Sequence, residues 1–98
     1  MRFQPTVPPE KRLQLVQAFE ALVGHTDGLL SLRAGANVPF EHKSHGFDHG
    51  FIARFNDAHA LASYQADARH QALGAALVAH AVGGLDGIFV FDLIIDAA

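Results

Sequence analysis

Apolar residues recur every three to four positions between residues 10 and 23, the spacing of one face of a helix. Pro8 and Pro9 precede this segment, and proline suits the first turn of a helix because no intrahelical partner is lost there. Gly24 follows it and suits the left-handed residue that ends many helices. The pattern therefore predicts an amphipathic helix. Its apolar stripe consists of Leu13, Val16, Phe19, Leu22 and Val23.

Two later segments alternate between apolar and polar residues, which is the two-residue period of a half-buried strand. The first covers residues 28–37 and the second covers residues 47–55. Residues 38–45 between them are mostly polar and include Pro39, so they are predicted to form a loop. One face of the second strand is predicted to carry Phe47, His49, Phe51, Ala53 and Phe55.

The second half of the chain predicts two helical pieces and a closing strand. Asn56 or Asp57 can cap the first piece through a side-chain oxygen. The second piece covers residues 68–78 and is broken by Gly83-Gly84. Residues 87–96 are dense in β-branched and aromatic residues and too few for a typical helix, so they are predicted to form a strand.

With an extended segment at Arg2-Phe3-Gln4, the predicted order is β-α-β-β-α-β. This is the ferredoxin-like α+β arrangement, a four-stranded antiparallel sheet with both helices on one face. The last strand is apolar on both sides, so the face away from the helices needs a cover. The simplest cover is a second copy, which would make a dimeric α/β barrel. The alternative is that this strand is a buried central one.

Composition narrows the class of protein. Ninety-eight residues predict one domain covering residues 1–98. Seven Lys and Arg against ten Asp and Glu, without a basic stripe, argue against a nucleic-acid partner. The absence of cysteine excludes disulfides and thiolate chemistry. No apolar run has the length of a membrane span or a signal peptide, so a cytoplasmic location and no membrane partner are expected.

Four segments, in this order and spacing, resemble the stress-responsive A/B barrel (Dabb) family of dimeric α/β-barrel proteins. They are Gly46-Phe47-Asp48-His49, residues 55–61, residues 64–70 and Phe91-Asp92. The resemblance implies a homodimer. It also implies a fold that a few enzymes share with many proteins of unknown role.

This chain departs from the family's pattern in two places. Only Met1 to Gln4 precede Pro5, where the family usually has a longer first strand, often with a histidine. We therefore expect either a stunted first strand or a start codon annotated too late. Asp67-Ala68 also stands where many relatives have His-Pro, which removes a rigid turn.

Tyr64 and His70 are the strongest candidate pair of catalytic residues. In an unbroken helix, six positions correspond to a rotation of about 600°, so the two side chains would point apart. They converge only if the helix breaks near Asp67. The resemblance to plant polyketide cyclases of the family implies His70 as the base and Tyr64 as the group that orients a carbonyl. The alternative is structural, with Tyr64 in a packing seam and His70 hydrogen-bonded at the break.

His49 lies among phenylalanines on its predicted strand face, where burial favours neutral imidazole, so it is a further candidate base or ligand contact. The alternative is a core histidine with its hydrogen bonds satisfied. His42 and His45 lie near it in sequence, but their loop position argues against a metal site, and no metal is expected. Arg33 and Arg54 could bind an anion or form ion pairs with Asp48 and Asp92.

These patterns leave three candidate functions. The first is a homodimer of unassigned activity that binds an apolar or aromatic small molecule in a pocket lined by Phe51, Tyr64 and His70. The second is a cofactor-free lyase or isomerase of the cyclase type that uses Tyr64 and His70. The third is a monooxygenase-like enzyme. No cofactor is expected, and the first candidate is preferred.

Overall fold

The computed structural model describes residues 1–95. Helix α1 continues directly into a 3₁₀ helix, so the predicted first helix has two parts. The predicted loop is free of helix and strand, and the two hairpin strands and the two later helices follow in the predicted order. In chain order they are α1 (Pro9–Gln17), a 3₁₀ helix (Ala18–Leu22), β1 (Leu29–Ala36), β2 (His49–Phe55), α2 (Ala58–Ala66), α3 (Ala68–His80) and a 3₁₀ turn (Gly84–Gly87).

Strands β1 and β2 form an antiparallel hairpin, with Arg33 opposite Ile52 and Leu32 opposite Ala53. The register shifts between Leu29 and Ser31, which is a bulge-type irregularity. Directly opposed residues share a face, so alternate pairs point toward the helices or away from them. Leu32 is buried under the helices, whereas Arg33 and Ile52 are exposed on the other face.

The four-stranded sheet is not confirmed, because within residues 1–95 the sheet contains β1 and β2 alone. The predicted first strand is reduced to a single bridge between Phe3 and Ala81. Gly87, where the predicted last strand begins, is the final residue of the 3₁₀ turn. Residues 88–95 form neither strand nor helix. The last predicted strand residue, Asp96, lies outside the described residues.

Backbone hydrogen bonds account for this outcome. The Met1 carbonyl accepts from Asp48 N–H at 2.9 Å, and the Arg2 carbonyl accepts from Val82 N–H at 2.9 Å. Residues 1–4 therefore lie between the start of β2 and the segment after α3. A strand is stable only where its backbone groups are paired, and the described residues place no ladder partner beside residues 88–95.

The core lies between the hairpin and the helices. Val16, Phe19 and Leu22 are fully buried and come from α1 and the 3₁₀ helix that continues it. Burial of one such side chain is worth roughly 1.5–3 kcal/mol, so this stripe anchors the helical layer on the sheet. Leu32 of β1 and Tyr64 of α2 complete the centre of the same core. Within residues 1–95, no helix has the length and apolar character needed to cross a membrane.

Candidate functional site

The helical region after β2 breaks at Asp67, as convergence of Tyr64 and His70 requires. Helix α2 ends at Ala66 and α3 begins at Ala68, and Asp67 between them has the extended angles φ −67° and ψ 130°. The Asp67 Oδ1 atom accepts from the His70 N–H at 3.0 Å and caps α3. An aspartate side chain therefore caps α3 directly at the break.

The break brings the two side chains of the pair together. The Tyr64 and His70 ring centroids are 3.9 Å apart, with 38° between the ring planes. Phe19 meets His70 at 6.0 Å, and Phe55 meets Tyr64 edge-on at 5.0 Å. Phe51 lies 4.9 Å from Phe19, the ring that meets His70. We call these five side chains the aromatic cluster.

Two polar atoms in the aromatic cluster are buried without a hydrogen-bond partner among the described residues: Tyr64 Oη and His70 Nδ1. A buried polar atom without a partner costs about 1–3 kcal/mol, so proteins rarely keep one without a reason. Two such atoms on neighbouring rings lack the hydrogen bonds that a nearby polar group would supply. Tyr64 Oη and His70 Nδ1 can therefore accept hydrogen bonds from, or donate them to, a molecule that reaches both rings.

Burial sets the protonation state of both side chains. It raises the pKa of Tyr64 to about 12, so this phenol keeps its proton at neutral pH. It also lowers the pKa of His70 from its usual 6.5, more than the Gln65 carbonyl and the Asp67 carboxylate raise it. His70 is therefore a neutral imidazole at pH 7, the form that can take up a proton.

His25 contacts the Asp67 break from outside the cluster. Its Nε2 atom lies 3.0 Å from Asp67 Oδ2, which joins the turn after the 3₁₀ helix to the α2–α3 joint. The backbone N–H of His70, followed by the side chain of His25, lowers the pKa of the Asp67 carboxyl. Local sequence pattern does not predict this contact, because the two residues are 42 positions apart. A polar residue three positions before His70 was nevertheless a capping signal.

His49 lies at the start of β2, apart from Tyr64 and His70. Its Nδ1 atom is 2.7 Å from Asp48 Oδ1, and its ring meets Phe3 edge-on at 5.3 Å. The described contacts therefore give His49 a carboxylate partner and a separate aromatic neighbour, and they do not join it to the aromatic cluster. Its role as a base or ligand contact remains a prediction.

Arg33 and Arg54 do not form the ion pair with Asp48 that was one of the sequence-based alternatives. The Asp48 carboxylate instead contacts His49, accepts from the Phe3 N–H at 3.1 Å and lies 3.7 Å from Arg12. In the part of the chain that the structure describes, neither arginine pairs with Asp92. That part also holds no group of three or more His, Asp or Glu side chains suited to a metal.

Two hollows of about 260 and 290 Å³ lie elsewhere on the protein. The smaller lies at the start of α2 beside Asp27 and His59, and the larger lies within the loop at residues 37–44. Neither includes Phe51, Tyr64 or His70. Tyr64 Oη and His70 Nδ1 are themselves shielded from solvent, so a ligand reaches these two atoms only if the surrounding side chains move.

The sequence and the fold were compared with known proteins. The model of the Stress responsive A/B Barrel Domain family (Dabb) matches residues 1–95. A dimeric ferredoxin-like protein of unknown function from Jannaschia sp. CCS1 is 32% identical to this chain, with a TM-score of 0.87. The match covers 97% of this chain and 92% of the Jannaschia chain.

A second solved relative is the Arabidopsis thaliana protein At3g17210. Its refined crystal structure is 26% identical with a TM-score of 0.71, and covers 80% of this chain and 76% of its own. Its solution structure gives 25% identity and a TM-score of 0.65, with 81% of this chain and 70% of its own covered. Among curated proteins, no match to the chain was found.

Proposed function

The chain belongs to the stress responsive A/B barrel (Dabb) family, and on that premise we propose that it is a homodimer that binds an apolar or aromatic small molecule between Tyr64 and His70. A role in a stress response is part of the proposal and rests on the family's name. The ligand would carry one polar group, which Tyr64 Oη and His70 Nδ1 bind.

The observation that carries the proposal is the pair of orphan polar atoms on stacked rings. The walls around them, Phe19 and Phe55, are apolar and aromatic, which suits a flat carbon skeleton. The ligand's polar group would satisfy atoms that the described residues leave unpaired. Entry requires the Tyr64 and His70 rings to separate, and these rings stand on two helices joined through one extended residue, Asp67.

The homodimer is supported by the exposed apolar side chains of the last described segment and by the dimeric Jannaschia relative. A short chain buries only about two thirds of its unfolded surface, so association adds stability that the protomer lacks. The partner would cover the sheet face away from the helices, as the sequence pattern predicts.

Two probes that differ by one hydroxyl group test the binding site. We expect 1-naphthol to bind more tightly than naphthalene, because only naphthol can hydrogen-bond to Tyr64 Oη or His70 Nδ1. Each hydrogen bond contributes about 0.5–1.5 kcal/mol, so Tyr64→Phe is expected to weaken naphthol binding several-fold and leave naphthalene binding nearly unchanged.

His59→Ala is the matched control, since His59 is an exposed residue of α2 outside the cluster. Calorimetry or probe fluorescence gives the affinities. Equal affinities for the two probes, unaffected by Tyr64→Phe or His70→Phe, would reject this site.

A second candidate function, a cofactor-free lyase or isomerase, is favoured by one observation: neutral His70 lies in contact with protonated Tyr64. A neutral imidazole can remove a proton next to a carbonyl while a phenol hydrogen-bonds to the carbonyl oxygen. The reaction class is then proton abstraction followed by ring closure or isomerisation.

Proton abstraction can be tested without the natural substrate. In deuterated water, the protein would accelerate hydrogen–deuterium exchange at the carbon beside the carbonyl of 1-tetralone, followed by NMR. His70→Gln should remove the acceleration and His59→Ala should not. If 1-tetralone binds at the aromatic cluster and its exchange is not accelerated, the protein is a binding protein and not this kind of enzyme.

A further inference from the structure

Residues 89–95, which we call the C-terminal arm, expose most of their apolar surface. Each large apolar side chain of the arm is at least 65% exposed. Water disfavours so much apolar surface, and contiguous patches of this kind mark contact sites. The side chains are Phe89, Val90, Phe91, Leu93, Ile94 and Ile95.

Alternate positions of the arm differ in their surroundings. Phe89 packs on Phe47 at 5.9 Å and on Phe91 at 5.6 Å, so these rings already have aromatic neighbours. Val90 and Ile94 are 74% and 98% exposed, and Asp92 between them is exposed as well. We call Val90, Asp92 and Ile94 the arm row, an acidic residue between two apolar ones.

The hairpin face away from the helices carries the complementary residue types. Ile52 is 74% exposed and lies opposite Arg33, and Arg54 is two positions along the same strand face. Both arginines are exposed, and within residues 1–95 neither they nor Asp92 take part in an ion pair. We call Arg33, Ile52 and Arg54 the open sheet face, in which one arginine neighbours Ile52 across the hairpin and the other along the strand.

We propose that the arm row of one protomer lies on the open sheet face of its partner, with Asp92 bound between the partner's Arg33 and the partner's Arg54. This inference rests on the proposed homodimer and specifies what covers its sheet. Charges of opposite sign meet there, and Val90, beside Asp92 in the arm row, packs on the partner's Ile52. A two-fold axis makes the contact twice, because each protomer supplies both surfaces.

A second copy fits better than another occupant because both halves of the contact stand on the same chain. The arm needs an apolar surface with basic residues, and the sheet face needs an apolar segment with an acidic residue. A free anion would satisfy the arginines but would leave Ile52, Val90 and Ile94 in water.

Charge reversal tests the contact. Asp92→Arg, and separately Arg33→Asp with Arg54→Asp, are expected to weaken the dimer about tenfold or more, as measured by sedimentation equilibrium. The combined triple variant restores the opposite charges and should recover most of the affinity. Glu41→Arg makes the same charge change in the exposed loop and should leave the dimer unchanged.

A cysteine test covers the case in which a reversed charge disturbs folding. The chain has no cysteine, so mixing Ile52→Cys protein with Val90→Cys protein under oxidation should give a disulfide between the two, whereas Glu41→Cys with Val90→Cys should not.

The outcomes separate this inference from the homodimer itself. A dimer that tolerates Asp92→Arg, or that forms no disulfide between the Ile52→Cys and Val90→Cys protomers, overturns the arm contact and leaves the homodimer standing. If Asp92→Arg leaves the dimer unchanged and the wild-type protein binds phosphate that Arg33→Asp does not, the arginines bind an anion. That result also overturns the arm contact. A wild-type protein that is monomeric at all concentrations overturns both.

Discussion

The ring of Tyr64 lies 3.9 Å from the ring of His70 because one residue between them is not helical. Asp67 takes extended angles, and its carboxylate caps the helix that carries His70. The pair therefore depends on a backbone break as well as on its two side chains.

The cap at Asp67 holds the pair together. We expect Asp67→Ala to lower the midpoint of thermal unfolding by about a few degrees, because α3 loses its side-chain cap. Asp57→Ala removes the cap of α2, which accepts from Ala60 N–H at 2.9 Å, and should lower the midpoint by a similar amount. The ring stacking distinguishes the two variants.

Proton NMR measures that stacking. With the ring centroids 3.9 Å apart, we expect the Tyr64 ring to shift the His70 imidazole protons upfield, Asp67→Ala to reduce this shift and Asp57→Ala to leave it in place. An unchanged His70 shift in Asp67→Ala would mean that packing against Phe19 and Phe55 alone positions the rings.

Stability should fall on mild acidification because of His70. Its pKa is lowered in the folded protein, so near and below pH 6.5 the unfolded chain binds more protons at this imidazole than the folded chain does. The folded state therefore loses stability as the pH falls through about 6.5, and His70 contributes no pH dependence well above that value.

Urea unfolding between pH 5 and 7.5 measures this effect. His70→Phe should lose less stability over this range than the wild type, whereas His59→Ala should behave as the wild type does. The Asp67 carboxyl, whose pKa is lowered from 3.8, affects stability only at more acidic pH and stays outside the range. Identical pH profiles for wild type and His70→Phe would contradict the burial of this imidazole.

The buried Tyr64 should make the protein lose stability at alkaline pH as well. Its folded pKa of about 12 exceeds the unfolded value of 10.0, so stability is lost as the pH rises above about 10. Tyr64 is the one tyrosine of a chain without tryptophan, so absorbance at the phenolate band reports this residue alone. We expect ionisation to coincide with unfolding followed by circular dichroism. Ionisation of the Tyr64 phenol near pH 10 in a protein that stays folded would contradict this expectation.

Gly28 should be intolerant of any side chain. It has φ +81°, and an added Cβ would overlap the Cβ of Ala60 at the start of α2. Gly24 has a similar φ of +88° but open space around the Cβ position, so Gly24→Ala is the matched control. A left-handed alanine costs about 1–2 kcal/mol, and Gly28→Ala should cost clearly more because of the overlap. Urea unfolding compares the two variants, and equal losses would mean that α2 moves aside freely.

Several features followed from the sequence because they depend on near neighbours. The apolar spacing of the first helix, the period of the two strands and the cap at Asp57 are each set within a few residues. The condition for the Tyr64–His70 pair, a break near Asp67, was also a local inference, since helix geometry fixes where residues six apart must point. The order of these elements followed from the succession of the same patterns along the chain.

Other features required the tertiary structure, because they depend on partners distant in sequence. The closing run has the composition of a strand, but a strand forms only beside a free backbone ladder, and residues 1–4 offer too little of one. His25 meets Asp67 across 42 positions, and Phe19 meets Phe51 across the helix–sheet interface. Local pattern determined the helices and the two hairpin strands of this protein. Only the folded chain decided which backbone and side-chain groups find partners, because hydrogen bonding and burial depend on the arrangement of the entire chain.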